Sequence, residues 1–204
     1  MNAKQTAIYI HADRSQYTKR KSGFAFERYI KEGDILDVCK YPALQNSIHL
    51  LADMFNPAFV EHIKDMFKSG ISYHGYNYLC SVINDNVNAW LEWAIEIYFE
   101  YIRFKEFESL PSRFTSVFGK RWDPWGNLQD ALNFAPESNI YEITNHTGYF
   151  TADMNLLTLD FDRERKIENA RRYWQGLPKE TNLTYKPAWE YIINTPVKIL
   201  RRLK

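Results

Sequence analysis

Apolar and polar positions follow two different periods along the chain, and the switch between them divides it. Ala7-Ile8-Tyr9-Ile10-His11 is an apolar, β-branched run after a polar tail, which predicts a short strand that delivers His11, Asp13 and Arg14 to its carboxyl end. Residues 15–41 mix polar and apolar positions and predict loop and short strand, with a turn at Glu32-Gly33-Asp34. Residues 43–69 predict two helices broken at Asn56-Pro57, because proline suits a helix start and disrupts a helix interior, and Gly70 ends the second. The run SYHGYNY at 72–78 reads as a loop rich in groups able to contact a ligand. From 79 to 107, Ile83, Val87, Trp90, Ala94, Ile97, Tyr101 and Phe104 step by threes and fours, the signature of one long amphipathic helix. Its Glu92, Glu96 and Glu100 also step by four; no histidine joins them, so the stripe predicts a solvated face rather than a metal or acid site.

Beyond Leu110-Pro111 the period becomes that of strands. Phe114, Ser116 and Phe118 alternate with Arg113, Thr115 and Val117, which predicts a strand there. A turn follows at 123–127 and a short helix at 128–135, and then IYEITN and YFTADMNLLTL predict two strands joined hairpin-fashion through His146-Thr147-Gly148. Asp162 is placed to cap a helix through about Tyr173, with Ile167, Ala170 and Trp174 inward and Gly176 and Pro178 as stops. The last residues give two short strands around Asn194-Thr195-Pro196. This order lacks regular strand–helix alternation, so the expectation is a single α+β domain, residues 1–204, with a largely antiparallel or split sheet and a mainly helical part at about 43–108.

Composition narrows the function classes. The 204 residues are 45% hydrophobic and 16% aromatic, enough for a full core. Twenty-six Lys+Arg against 25 Asp+Glu leave a net charge of +1, which provides no global field for nucleic acid and leaves only local basic patches. Cys39 and Cys80 lack the spacing of a zinc module or disulfide framework, so no metal is expected and the cytoplasm is the expected compartment. No run approaches the roughly 20 apolar residues of a membrane span, so no membrane partner is expected. The Walker loop, GxGxxG, GxSxG and HExxH are all missing.

What remains is a distributed set: HADR after the first strand, SRF-x-S-x-F on a middle strand, ADMNLL, A-x-x-YW-x-G at a helix end, and a late Glu190 in WEYII followed by PVK. In this order the set resembles the ADP-ribosyltransferase superfamily. More narrowly, it is similar to a bacterial family once catalogued as of unknown function that resembles the mRNA-modifying toxin of an anti-phage toxin, antitoxin and chaperone system. The resemblance covers the first strand and nearly everything from Pro111 onward, and it implies an ADP-ribosyltransferase-like split sheet with NAD+ as co-substrate. It further implies Glu190 as the catalytic carboxylate and His11, Arg14, Ser112, Arg113, Phe114, Ser116 and Tyr173 as NAD-binding residues, with His11 on the ribose, Arg113 or Arg14 on the pyrophosphate and Tyr173 against nicotinamide. Two departures bear on the acceptor: Ala188 stands where arginine-specific members carry an upstream acidic residue, and Phe114 stands where a tyrosine is expected.

The chemistry suits these residue types. Breaking the nicotinamide–ribose bond passes through an oxocarbenium-like state, which a nearby carboxylate stabilises, and the acceptor then needs positioning rather than a protein nucleophile. The resemblance implies an RNA acceptor and an antitoxin partner. Read without it, Glu190 is an exposed edge residue, Tyr173 a core aromatic and either arginine a salt-bridge partner. NAD hydrolysis and a catalytically silent binding module are the alternatives.

Overall fold

Among the described residues seven short strands frame the fold: β1 (Ile8–Asp13), β2 (Ile35–Leu36), β3 (Ser116–Arg121), β4 (Asn139–Thr144), β5 (Tyr149–Asp153), β6 (Trp189–Asn194) and β7 (Val197–Arg202). The computed structural model describes residues 8–13, 30–40, 49–81, 87–122, 129, 138–158 and 162–204. Its helices are α1 (His49–Ala52), α2 (Pro57–Ser69), α3 (Tyr73–Ser81), α4 (Val87–Glu106) and α5 (Arg163–Trp174), so the protein is α+β. The strands lie in the order β2-β7-β4-β1-β3-β6-β5, and every pairing is antiparallel.

β3 joins two small sheets. Ser116 to Gly119 pair with β6, whereas only Lys120 and Arg121 pair with β1. Past Ile10↔Lys120 the β1–β3 ladder stops, and there the Phe118 carbonyl accepts a 2.7 Å hydrogen bond from His11 Nδ1. The hairpin expected through His146-Thr147-Gly148 does not form: β4 is flanked by β1 and β7, and β5 pairs with β6. The chain crosses between the sheets at that corner, and crosses again from β6 to β7 through a cis Thr195-Pro196 bond. The two corners are tied together, since Thr147 Oγ1 donates to the Asn194 carbonyl at 3.0 Å.

Local signals set several boundaries as expected. Asn56 caps α2 by accepting from the Phe59 N–H at 3.0 Å, with Pro57 opening the helix, and Gly70 closes it. Asp162 caps α5 through the N–H groups of Glu164 and Arg165. The Glu32-Gly33-Asp34 turn is present, with Asp34 accepting from the Lys31 N–H at 2.7 Å. Other expectations need correction. The strand expected over 112–122 begins only at Ser116, so Arg113 and Phe114 sit in the preceding turn. Of the long helix expected over 79–107, residues 79–81 end α3 and 87–106 form α4, while residues 82–86, Ile83 among them, lie outside the described residues, as do the turn at 123–127 and most of the short helix at 128–135.

The segment 72–78 is a helix rather than a ligand-facing loop. Ser72 Oγ accepts from the Gly75 N–H at 3.1 Å and starts α3, which then packs on the turn before β3. Gly75 is there for close approach: a Cβ at this position would lie 2.4 Å from the Phe114 carbonyl oxygen. Gly75→Ala is therefore expected to destabilise the fold by about 1–3 kcal/mol, read as a lowered urea midpoint with an unchanged slope.

Three apolar clusters hold the layers. Phe59, Ile63, Trp93, Ile97 and Phe114 join α2, α4 and the turn before β3. Tyr9, Leu36, Val117, Ile143, Ile193 and Ile199 fill the space between the two sheets. Phe99, Ala152, Tyr173, Trp174 and Ile192 pack α4 and α5 on β5 and β6, where Trp174 Nε1 also donates to the Phe99 carbonyl at 2.8 Å.

Candidate functional site

Strand alternation decides which way Glu190 faces. Glu190 and Ile192 share one face of β6, and Ile192 belongs to the cluster under α4 and α5, so the carboxylate points into that layer and is only 6% exposed. An apolar layer does not tolerate a lone carboxylate, and this one is met by two donors. Tyr173 Oη donates to Glu190 Oε1 at 2.6 Å, and Arg113 Nη1 donates to the same oxygen. Nη1 also contacts Tyr173 Oη. Among the described residues neither donor reaches Oε2. On its other side the Arg113 guanidinium meets Glu96 of α4 with two parallel bonds, Nε to Oε2 and Nη2 to Oε1, both 2.7 Å. The guanidinium also lies over the Phe118 ring, 4.6 Å from its centre.

A second buried cluster places Arg113. Glu100, one turn along α4 from Glu96, is fully buried and accepts from Arg103 Nε and Nη2, from His62 Nε2 at 2.9 Å and from Ser112 Oγ at 2.9 Å. Arg103 Nη1 in turn donates to the carbonyls of Glu108 and Leu110, clamping the segment that leaves α4. Ser112 Oγ also accepts from the N–H groups of Phe114 and Gly75, 3.1 Å each. Its one donor and two acceptor positions are thereby used. The expectation that Glu92, Glu96 and Glu100 form a solvated stripe is therefore corrected: Glu92 is exposed, but Glu96 and Glu100 are buried ion-pair partners.

The electrostatics follow from burial and these contacts. Burial pushes the Glu190 carboxyl above its ordinary value and the Glu96 charge adds to it, against the opposing pull of Arg113 and the Tyr173 hydrogen bond. Burial opposes the Arg113 charge, yet the Glu190 and Glu96 carboxylates outweigh it and hold the guanidinium charged. Burial, with the Glu190 carboxylate, holds the Tyr173 phenol protonated, which makes it a donor. Burial would raise Glu100 too, but there the hydrogen bonds from His62, Arg103 and Ser112 win and the carboxyl is held low.

Of the residues expected at the site, the fold brings Glu190, Arg113 and Tyr173 into direct contact. His11 is one step away: it bonds the carbonyl of Phe118, whose ring covers Arg113 and packs on His74 with ring centres 3.9 Å apart. Since a carbonyl only accepts, His11 Nδ1 carries the proton. Ser112, Phe114 and Ser116 are interior: Ser116 Oγ donates to the Ser112 carbonyl at 2.7 Å, and Phe114 is 1% exposed in the helical cluster. Arg113 is 2% exposed with Nε, Nη1 and Nη2 all engaged, so here it organises carboxylates rather than an open anion clamp. Arg14 lies outside the described residues. Sequence reasoning missed Glu96, Glu100, His62, Arg103 and His74; the one local signal was Arg103 three residues after Glu100.

Two further buried features lie outside this cluster. Asp153, at the end of β5, accepts from the N–H groups of Asn155, Lys179 and Ala188 and from Tyr185 Oη, and so fastens the segment between α5 and β6. Between the sheets, burial and the neighbouring Tyr149 and Tyr191 push the Tyr9 phenol up to about 12. Among the described residues no group of three or more His, Cys, Asp and Glu side chains is arranged to hold a metal ion, and no helix is long and apolar enough to cross a membrane.

Among curated proteins none matches the chain. Over residues 10–204, nearly its full length, the chain matches the family described as protein of unknown function (DUF2441), and it belongs to that family.

Proposed function

We propose that the protein is an NAD-dependent ADP-ribosyltransferase that uses Glu190 as its catalytic carboxylate and RNA as its acceptor, and that it acts as a toxin or anti-phage effector restrained by an antitoxin. One observation carries the reading: a late-strand glutamate is held at one oxygen by Tyr173 and Arg113, while neither donor takes Oε2. A carboxylate fixed in this way is pre-oriented, and in a water-poor layer its charge acts strongly on positive charge developing at the ribose carbon. Nicotinamide leaves with the electrons of the C–N bond. The acceptor hydroxyl or amine forms the new bond to that carbon and releases its proton to solvent. Tyr173 and Arg113 hold Glu190 through this exchange. The resemblance places His11, which bonds the Phe118 carbonyl beside this cluster, on the ribose. The RNA acceptor and the antitoxin rest on the sequence resemblance.

The test gives the purified protein labelled NAD+ with separate pools of RNA, single-stranded DNA and protein. Label retained in RNA is the expected result. Nicotinamide release without polymer label would replace transfer by hydrolysis, and the absence of both, from folded protein, would leave a binding module.

A further inference from the structure

The Arg113 guanidinium serves two carboxylates and divides its nitrogens unequally between them. Nε and Nη2 meet Glu96 at 2.7 Å each, a two-point geometry that fixes the plane of the guanidinium as well as its position. Nη1 makes the contacts with Glu190 and Tyr173. Glu96 is 3% exposed and is delivered from the inner face of α4, next to Ile97 of the helical core. Resting on the reading of Glu190 as the catalytic carboxylate, we propose that Glu96 is a positioning residue: by fixing the plane and position of the guanidinium it holds Arg113 in a one-point contact, through Nη1, with Glu190 Oε1 and leaves Oε2 for the substrate.

Removing the Glu96 charge changes both geometry and electrostatics. The guanidinium is then released to take both oxygens of Glu190 in its own two-point pair. The charged set around Glu190 also goes from two carboxylates on one guanidinium to a single neutral pair. The groups that face Glu190 are Glu96 from α4, Tyr173 from α5 and Arg113 from the turn before β3. β5 places Ala152 directly opposite it, and the adjacent Asp153 is taken up by its four donors. Glu96 is thus the facing group whose charge favours the protonated form of Glu190, in addition to burial.

The test titrates side-chain carboxyl carbons by NMR in wild type, in Glu190→Gln to assign the resonance, and in Glu96→Gln. Glu96→Gln leaves one guanidinium facing one carboxylate and so is expected to fold. Its Glu190 carboxyl should bind protons at least tenfold more weakly than in wild type, a downward shift of about one pH unit. With NAD+, kcat should fall about ten- to a hundredfold while KM changes little, as expected when an orientation is lost rather than a binding contact. Glu96→Asp keeps the charge and should keep Glu190 above the ordinary carboxyl range. An unmoved Glu190 titration in folded Glu96→Gln overturns the inference. If that variant does not fold, wild type decides: Glu190 titrating at or below the ordinary range overturns the inference, and titration above it supports the shared guanidinium. The NMR readout needs no turnover, so a wild type without NAD activity fails the proposed function alone.

Discussion

Arg113→Met is expected to lower stability by about 3–5 kcal/mol, because it removes a cation that two buried carboxylates share. Glu96 and Glu190 would then face each other across a dry layer, with Tyr173 the remaining donor to Glu190. A domain's whole stability is about 5–15 kcal/mol, so a loss of this size threatens folding itself. Urea unfolding followed by circular dichroism measures it. A midpoint within error of wild type would mean that the guanidinium is not the neutralising group. Raising the pH should worsen the defect, since each carboxylate that ionises adds an uncompensated charge. The sign agrees with that of Glu190 itself, whose folded value is raised: protonation favours the native state, and stability falls as pH rises from the unfolded value toward the folded one.

The second large effect lies one turn further along α4. Glu100→Gln leaves Arg103 buried opposite a neutral amide and weakens the ties to His62 and Ser112, so a loss of about 3–5 kcal/mol at neutral pH is expected. Here the pH dependence has the opposite sign. The folded Glu100 carboxyl is held below its unfolded value of roughly 4.3, so its contribution is fully present above that value and is lost as pH falls through the depressed one. Wild type should therefore lose stability on acidification through that window more steeply than Glu100→Gln. Thermal unfolding midpoints measured from neutral to acid pH compare the two, and parallel curves would contradict the assignment. Because Ser112 bonds Glu100 and directly precedes Arg113, this variant should also loosen the neighbouring cluster, so its effect and that of Arg113→Met should not add.

Where a boundary depended on a side chain capping its own helix, the sequence revealed it. Asn56-Pro57, Gly70 and Asp162 act within one turn, and the helices start and stop there. The strand holding Glu190 was legible from local residues too, a short run of aromatic and β-branched positions over 189–193. Pairing was not. β4 and β5 are neighbours in sequence and look like a hairpin, but β4 is flanked by β1 and β7, so the chain must turn a corner into the other sheet. Glu96 was illegible for a longer-range reason. A glutamate every fourth residue on a helix signals water unless a cation comes to meet it, and Arg113 stands 17 residues away in a turn that the Glu100 cluster holds in place. Gly75 shows the same limit. A glycine beside tyrosine and histidine reads as loop, and only the Phe114 backbone packed against it explains why a helix there needs glycine.

Glu190→Gln is the most direct measurement, because it keeps the shape of the side chain and removes the charge on which the proposed chemistry depends. Nicotinamide release from NAD+ is followed for wild type and variant at equal concentration, with matched circular dichroism spectra showing that both are folded. A drop of about 10²–10³-fold is expected, the scale seen when a single electrostatic contact to a transition state is removed. Equal rates for the two folded proteins would contradict Glu190 as the catalytic carboxylate.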